Sequence, residues 1–121
     1  MSELQMGTVE TRFAEIIWGN EPISSTELSK LAEKELQWKK TTSYTVLKRL
    51  CDKGIFQNVK GTVSSLISCE DFYSMQSEKF VEDTFSGSLP AFLAAFTKRK
   101  ALSPDEIQEL RRMVERYEED K

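Results

Sequence analysis

The segment Trp38–Gly54, WKKTTSYTVLKRLCDKG, constrains the fold and the chemistry of this chain more than any other stretch. Val46, Leu47 and Leu50 recur at helical spacing and make one apolar face. Thr41, Thr45, Lys48 and Asp52 fall on the opposite face, with Tyr44 and Arg49 at its margins. Hydroxyls can bond base edges or phosphates, and Lys and Arg neutralise a phosphate backbone. Two readings fit such a helix: a DNA-reading element, or an ordinary amphipathic helix with a solvated face.

The neighbours of this helix narrow its context. Val9, Phe13, Ile16 and Ile17 share a face of a first helix, over about Val9 to Trp18, which Gly19, Asn20 and Pro22 are expected to stop. Ser24-Ser25-Thr26-Glu27 reads as a capping box opening a second helix through Leu28, Leu31, Ala32 and Leu36. Trp38 sits in the connection as a core anchor. The basic helix ends at Gly54, a residue suited to a left-handed C-cap. Ile55–Val59 and Thr62–Ile67, two β-competent runs around Lys60-Gly61, then predict a hairpin. Three helices and a hairpin give a winged helix-turn-helix arrangement.

The remainder reads as helical, in segments Asp71–Phe85, Leu89–Lys98 and a last helix opened by the capping box Ser103-Pro104-Asp105-Glu106. Phe72, Phe80, Phe85, Phe92 and Phe96 all fall here. Helices so short and so aromatic cannot bury all their apolar faces alone. They either pack on the winged domain or form a two-fold interface, and the need of a small DNA reader for two half-sites favours the second. The expected fold is therefore mainly α with a small β-hairpin wing: a winged helix-turn-helix domain over residues 1–69 and a helical dimerisation region over 70–121.

Charge supports the same division. The whole chain carries −3, but Lys34 to Lys60 holds seven cations against two acids, while Ala101 to Lys121 holds seven acids against four cations. Local patches attract phosphates, not the sum. The chain has no histidine, so the commonest general base and metal ligand is missing. No nucleophile-elbow, Walker or dinucleotide-binding run is present. The two cysteines, Cys51 and Cys69, are far apart in sequence and suit small core positions better than a disulfide or zinc site. No catalytic residue, cofactor or metal is expected. No apolar run has membrane-spanning length, and Met1-Ser2-Glu3-Leu4-Gln5 lacks a basic-then-apolar leader pattern, so no membrane insertion and a cytoplasmic location are expected.

From about Phe13 to Val114 the chain resembles the penicillinase (β-lactamase) repressors and their methicillin-resistance and copper-responsive relatives. Glu15-Ile16-Ile17-Trp18 and Thr26-Glu27-Leu28 carry the likeness in the first two helices. Trp38, Thr42, Tyr44, Thr45, Leu47, Arg49, Leu50, Lys53 and Gly54 carry it in the third. Phe85-Ser86-Gly87-Ser88-Leu89, Phe96 and Leu102–Leu110 carry it in the C-terminal region. The resemblance implies a winged-helix homodimer that represses transcription from a dyad operator in double-stranded DNA. It also implies relief by proteolysis, through a membrane metalloprotease sensor or a protease it activates, at the bond matching Ala95-Phe96.

Matched to that pattern, Thr41, Thr42, Tyr44 and Thr45 are the expected base readers. Lys39, Lys40, Lys48, Arg49 and Lys60 are the expected phosphate contacts, while Lys53 faces the wing or solvent. Phe85, Leu89, Phe92, Leu93, Phe96, Ile107, Leu110 and Val114 are the expected dimer interface. The chain departs from the pattern in three places. Ala95 stands where well-studied members carry Asn. Thr62 follows the wing glycine where Arg is usual. The tail has none of the paired cysteines of the copper branch. Two other functions compete: a winged-helix protein-interaction module, and a ligand-sensing regulator with an aromatic C-terminal pocket.

Overall fold

The computed structural model describes residues 6–120. The leader reading of Met1–Gln5 therefore lies outside the described residues. Helices α1 (Thr8–Asn20), α2 (Ser25–Leu36) and α3 (Lys40–Asp52) precede strands β2 (Phe56–Val59) and β3 (Thr62–Ser65), and a two-residue strand β1 (Ile23–Ser24) lies between α1 and α2. The sheet is antiparallel in the order β1-β3-β2. Helices α4 (Cys69–Phe85), α5 (Leu89–Arg99) and α6 (Pro104–Glu119) complete the chain. The fold is the expected mainly helical one with a small wing. Among the described residues, no helix is long and apolar enough to cross a membrane.

The chain divides into two compact units, the first ending at Glu78 and the second beginning at Lys79. In the first, Phe13, Ile17, Leu28, Leu50, Ile55, Phe56, Val63 and Phe72 form a core that is at most 2% exposed. Burying such side chains contributes roughly 1.5–3 kcal/mol each. Trp38 packs on Phe13 with ring centroids 5.0 Å apart, which anchors the α2–α3 connection. Trp18 meets Phe56 and Phe72 at 5.1 and 5.5 Å, and its indole N–H donates to the Ile67 carbonyl at 3.0 Å. Aromatic pairing and a satisfied indole N–H together fix where the chain leaves the wing.

Several boundaries differ from the sequence expectation for local reasons. Helix α1 runs through Gly19 to Asn20 because the Asn20 side-chain amide donates to the Ile16 carbonyl at 2.8 Å and satisfies the last turn. Only half of the box at Ser24 closes: Ser24 Oγ accepts the Glu27 N–H at 3.0 Å, while the Glu27 carboxylate lies 3.8 Å from Lys30. Ser24 is also part of β1, which pairs with β3 through Ile23↔Val63 and Ser24↔Thr62. Strand β3 stops at Ser65 because the Leu66 and Ile67 N–H groups turn back to the Ile55 carbonyl at 2.8 and 3.2 Å. Helix α4 begins before Asp71 because Ser68 caps it, its Oγ accepting the Asp71 N–H at 3.0 Å.

Candidate nucleic-acid interface

Helix α3 buries Ser43, Val46, Leu47 and Leu50 against the core. At 100° per residue, the stripe opposite that face is Thr41, Thr45, Lys48 and Asp52. Thr41, Thr42 and Thr45 are exposed and Tyr44 is half-buried. Thr42 and Tyr44, two residues apart, stand about 160° from one another and flank the stripe on opposite sides. The four expected base readers thus spread across the whole outer surface of α3. The Thr45 hydroxyl donates to the Thr41 carbonyl at 2.9 Å. Its hydrogen is engaged, which leaves its lone pairs as acceptors and its methyl group for apolar contact.

Tyr44 is tied to α2. Its hydroxyl donates to Ser25 Oγ at 3.4 Å, and Lys40 Nζ lies 5.9 Å from its ring centroid. Hydrogen bonding to Ser25, then to Thr26, with the Lys40 charge adding to it, holds the phenol below its ordinary value. The hydroxyls at the start of α2 and the outer face of α3 form one continuous polar surface. Composition gave no hint of this, since Ser25 and Thr26 read simply as residues of a helix start.

The N-terminus of α3 differs from those of α2, α5 and α6. Ser24, Ser88 and Ser103 cap α2, α5 and α6 with side-chain oxygens. At α3 the N-cap is Lys39, without a side-chain cap hydrogen bond, and the first turn holds no acid. Unpaired N–H groups, the positive end of the helix dipole and two lysines together make a place where an anion is stabilised.

The five expected phosphate contacts are all on the surface but are not equivalent. Lys48 pairs with Asp52 at 3.0 Å. Arg49 Nη1 lies 3.4 Å from Glu10 Oε2, an oxygen that Lys53 Nζ reaches at 4.0 Å. Lys39 and Lys40 stand at the open end of α3. Lys60 occupies the wing tip, where Lys60 and Gly61 both take positive φ (52° and 86°). A two-residue loop with both φ positive is the hairpin turn that suits strand twist, and the Asn58 carboxamide oxygen accepts the Gly61 N–H at 3.0 Å to close it. The base of the wing is fixed by Glu21, whose carboxylate accepts the Ser65 N–H at 2.7 Å and the Ser65 hydroxyl at 3.0 Å. Glu10 and Glu21 were not found by sequence reasoning. Their partners lie 39 and 44 residues away, and no local pattern signals such pairs.

Both cysteines are free, and burial pushes the Cys51 thiol above its ordinary value. Among the described residues no cluster of acids and cysteines could hold a metal ion.

In the second unit, α5 and α6 have no buried residue. Leu89, Phe96, Ile107 and Val114 are 56%, 43%, 39% and 58% exposed. Phe85, Phe92, Leu93 and Leu110 are half-buried. Phe80, Phe85, Phe92 and Phe96 form a chain of ring contacts 5.6 to 6.1 Å between centroids. An apolar groove of about 240 Å³ between α5 and α6 is lined by Phe92, Leu93, Phe96, Leu102, Leu110 and Met113 with Glu106 and Glu109 at its rim. The Ala95-Phe96 bond lies inside α5.

Three helices, the third with a basic, hydroxyl-bearing outer face, and a three-stranded antiparallel sheet define a winged-helix DNA-binding protein. The sequence model of the penicillinase repressor family matches residues 6–116, and the chain belongs to that family, one of transcriptional repressors rather than enzymes. The penicillinase repressor of Bacillus licheniformis is 28% identical over 117 residues, covering 93% of this chain and 91% of that protein. The methicillin resistance regulatory protein MecI of Staphylococcus aureus strain Mu50 is 25% identical over 114 residues, covering 91% and 93%. The penicillinase repressor of Staphylococcus aureus is 26% identical over 113 residues, covering 90% of each.

Proposed function

We propose that two copies of this chain bind a dyad operator and repress antibiotic-resistance genes. In this reading α3 enters the major groove, with Thr41 and Thr45 over the bases and Thr42 and Tyr44 at either side. Lys39, Lys40, Lys48, Arg49 and Lys60 bind the flanking phosphates. The observation that carries the reading is the start of α3: uncapped, free of acid in its first turn and flanked by Lys39 and Lys40, on a helix whose outer face is hydroxyl-rich. A bound phosphate satisfies the open N–H groups and the helix dipole together.

The second copy follows from the second unit. Phe85, Leu89, Phe92, Leu93, Phe96, Ile107, Leu110 and Val114 form the proposed seam, and the exposed apolar surface of α5 and α6 supports it. Two linked half-sites raise affinity beyond either alone. Relief then comes from breaking the pair: a cut at Ala95-Phe96, by a protease answering to a membrane sensor, divides α5 within the seam. Because that bond is helical, cleavage requires α5 to unwind locally.

Selection of duplexes from a randomised pool tests this reading. The expected product is an inverted repeat with half-sites about one helical turn, or a multiple of it, apart. Thr45→Ala then weakens the selected duplex by about 1–3 kcal/mol and leaves random duplex unchanged. Removing Lys39, Lys40 or Lys60 lowers the log–log salt slope by about one each, on both duplexes. A pool that enriches no inverted repeat overturns the proposal.

A further inference from the structure

The acid that faces α3 from α1 is held on both oxygens. Glu10 Oε1 accepts the Gly7 N–H at 3.3 Å, and Oε2 faces Arg49 at 3.4 Å and Lys53 at 4.0 Å. The Glu10 side chain is only 21% exposed, while Arg49 is 53% exposed. The Lys53 side chain is 23% exposed, so Glu10 and Lys53 are the fixed members of the trio and Arg49 the movable one. Only one arm of the Arg49 guanidinium is engaged, and the remaining N–H donors of that planar fork stay available.

We propose that Glu10 is a specificity-determining residue, which holds Arg49 in the one orientation that serves a correctly seated duplex and withholds it from any other. The inference rests on the DNA-binding reading above. In a seated complex, Arg49 meets a phosphate with its free donors while its bond to Glu10 persists, as a planar, five-donor group allows. Holding it in place beforehand also reduces the rotamer freedom lost on binding. In a loosely docked, sequence-independent complex the phosphates do not lie at that position. To reach them Arg49 must leave Glu10, and an acid that Lys53, 4.0 Å away, pairs only in part then faces the DNA. That acts as a repulsive element against the wrong partner. Because sequence-independent binding is almost wholly electrostatic, it bears the whole penalty.

The test is Glu10→Gln, which removes the charge while its amide oxygen can still accept the Gly7 N–H. Binding is measured against salt on a random-sequence duplex and on the duplex that wild-type protein enriches from a randomised pool. The variant is expected to bind random duplex about tenfold more tightly, with a log–log slope steeper by about one, and to bind the enriched duplex no more tightly than wild type. Adding Arg49→Ala to the variant returns about one unit of that slope. Equal changes on both duplexes mean a uniform field effect and overturn the proposal, as does no change on either. Weaker binding to both with a lowered melting temperature makes Glu10 a structural brace and also overturns it. Salt-independent or absent binding by wild-type protein sinks the DNA-binding reading itself, a result distinct from all of these.

Discussion

The two units of the chain spend their aromatic residues in opposite ways. In the first, Phe13, Phe56 and Phe72 are at most 2% exposed and Trp18 and Trp38 pack on them, so one copy suffices to dry the core. In the second, Phe80 is 51% and Phe96 43% exposed although four phenylalanines touch in series, and α5 and α6 bury nothing completely. Three layers of structure close around the first core: α1 to α3, the sheet and the start of α4. The second unit has only helices in sequence, and helices draw most of their stability from packing on something else. The first unit is complete as a single copy. The stability of the second is expected to depend on protein concentration.

The largest expected effect separates the units directly. Phe56→Ala removes a fully buried ring between β2 and Trp18 and is expected to destabilise the first unit by about 3–5 kcal/mol. The loss should be the same at low and high protein concentration in a urea titration. A concentration-dependent loss would show that the first unit also leans on a second copy.

Phe96→Asp is the corresponding change in the second unit. If the proposed seam buries Phe96, its ring contributes roughly 1.5–3 kcal/mol to association, and a carboxylate there adds a desolvation penalty. Sedimentation at micromolar concentration should give a dimer for wild-type protein and a monomer for the variant. The folding of the first unit should not change. A wild-type monomer would remove the seam and with it the explanation of the exposed rings.

Next in size is the start of α6. Ser103 Oγ accepts the Glu106 N–H at 3.1 Å, and Glu106 Oε1 accepts the Ser103 N–H at 2.9 Å. Ser103→Ala should destabilise the second unit by about 1 kcal/mol. The backbone hydrogen bond from Ser103, then its side-chain bond, with Lys100 nearby, holds the Glu106 carboxyl below its ordinary value. A depressed carboxyl stabilises the fold above its unfolded pKa, and that stability is lost as pH falls through the lower folded value. Melting of the second unit should therefore weaken as pH drops below about 4.3. Glu106→Gln should remove that part of the pH dependence, and an unchanged profile would show that the box does not hold in solution.

Local chemistry explains how much of this was legible beforehand. Periodic apolar positions gave all the long helices, and Lys60-Gly61 and Gly54 marked the wing turn and the end of α3, because each signal lies within a few residues of what it specifies. Gly54 needs its freedom only for backbone shape: φ is +81°, and nothing lies within 4 Å of where a Cβ would sit. Strand β1 was not legible, since two residues make no alternation and its partner β3 comes only after two further helices and a strand in the chain. At the interface, residue types on α3 gave its outer face. Sequence could not show that Arg49 and Lys53 share Glu10, or that Tyr44 reaches back to Ser25, since these contacts join separate helices.

The smallest expected effect compares one backbone feature across both units. Gln37 ends α2 at φ 59° and Ser86 follows α4 at φ 51°, each in the left-handed region where a Cβ is strained. At Gln37 the turn is closed by its own N–H to the Glu33 carbonyl at 3.1 Å and the Trp38 N–H to the Ala32 carbonyl at 3.3 Å. Gly keeps both bonds and removes the strain, against a larger loss of chain entropy on folding. Gln37→Gly should therefore stabilise the first unit by about 0.5–1 kcal/mol, the difference between those two effects. Its melting temperature should rise by a few degrees, equally at every protein concentration. Ser86→Gly relieves the same strain next to Gly87, itself at φ 81°. Its gain should appear in the concentration-dependent transition of the second unit instead. Should both substitutions shift one and the same transition, the two units unfold as a single cooperative body, and the contrast between a self-sufficient core and a copy-dependent one does not hold.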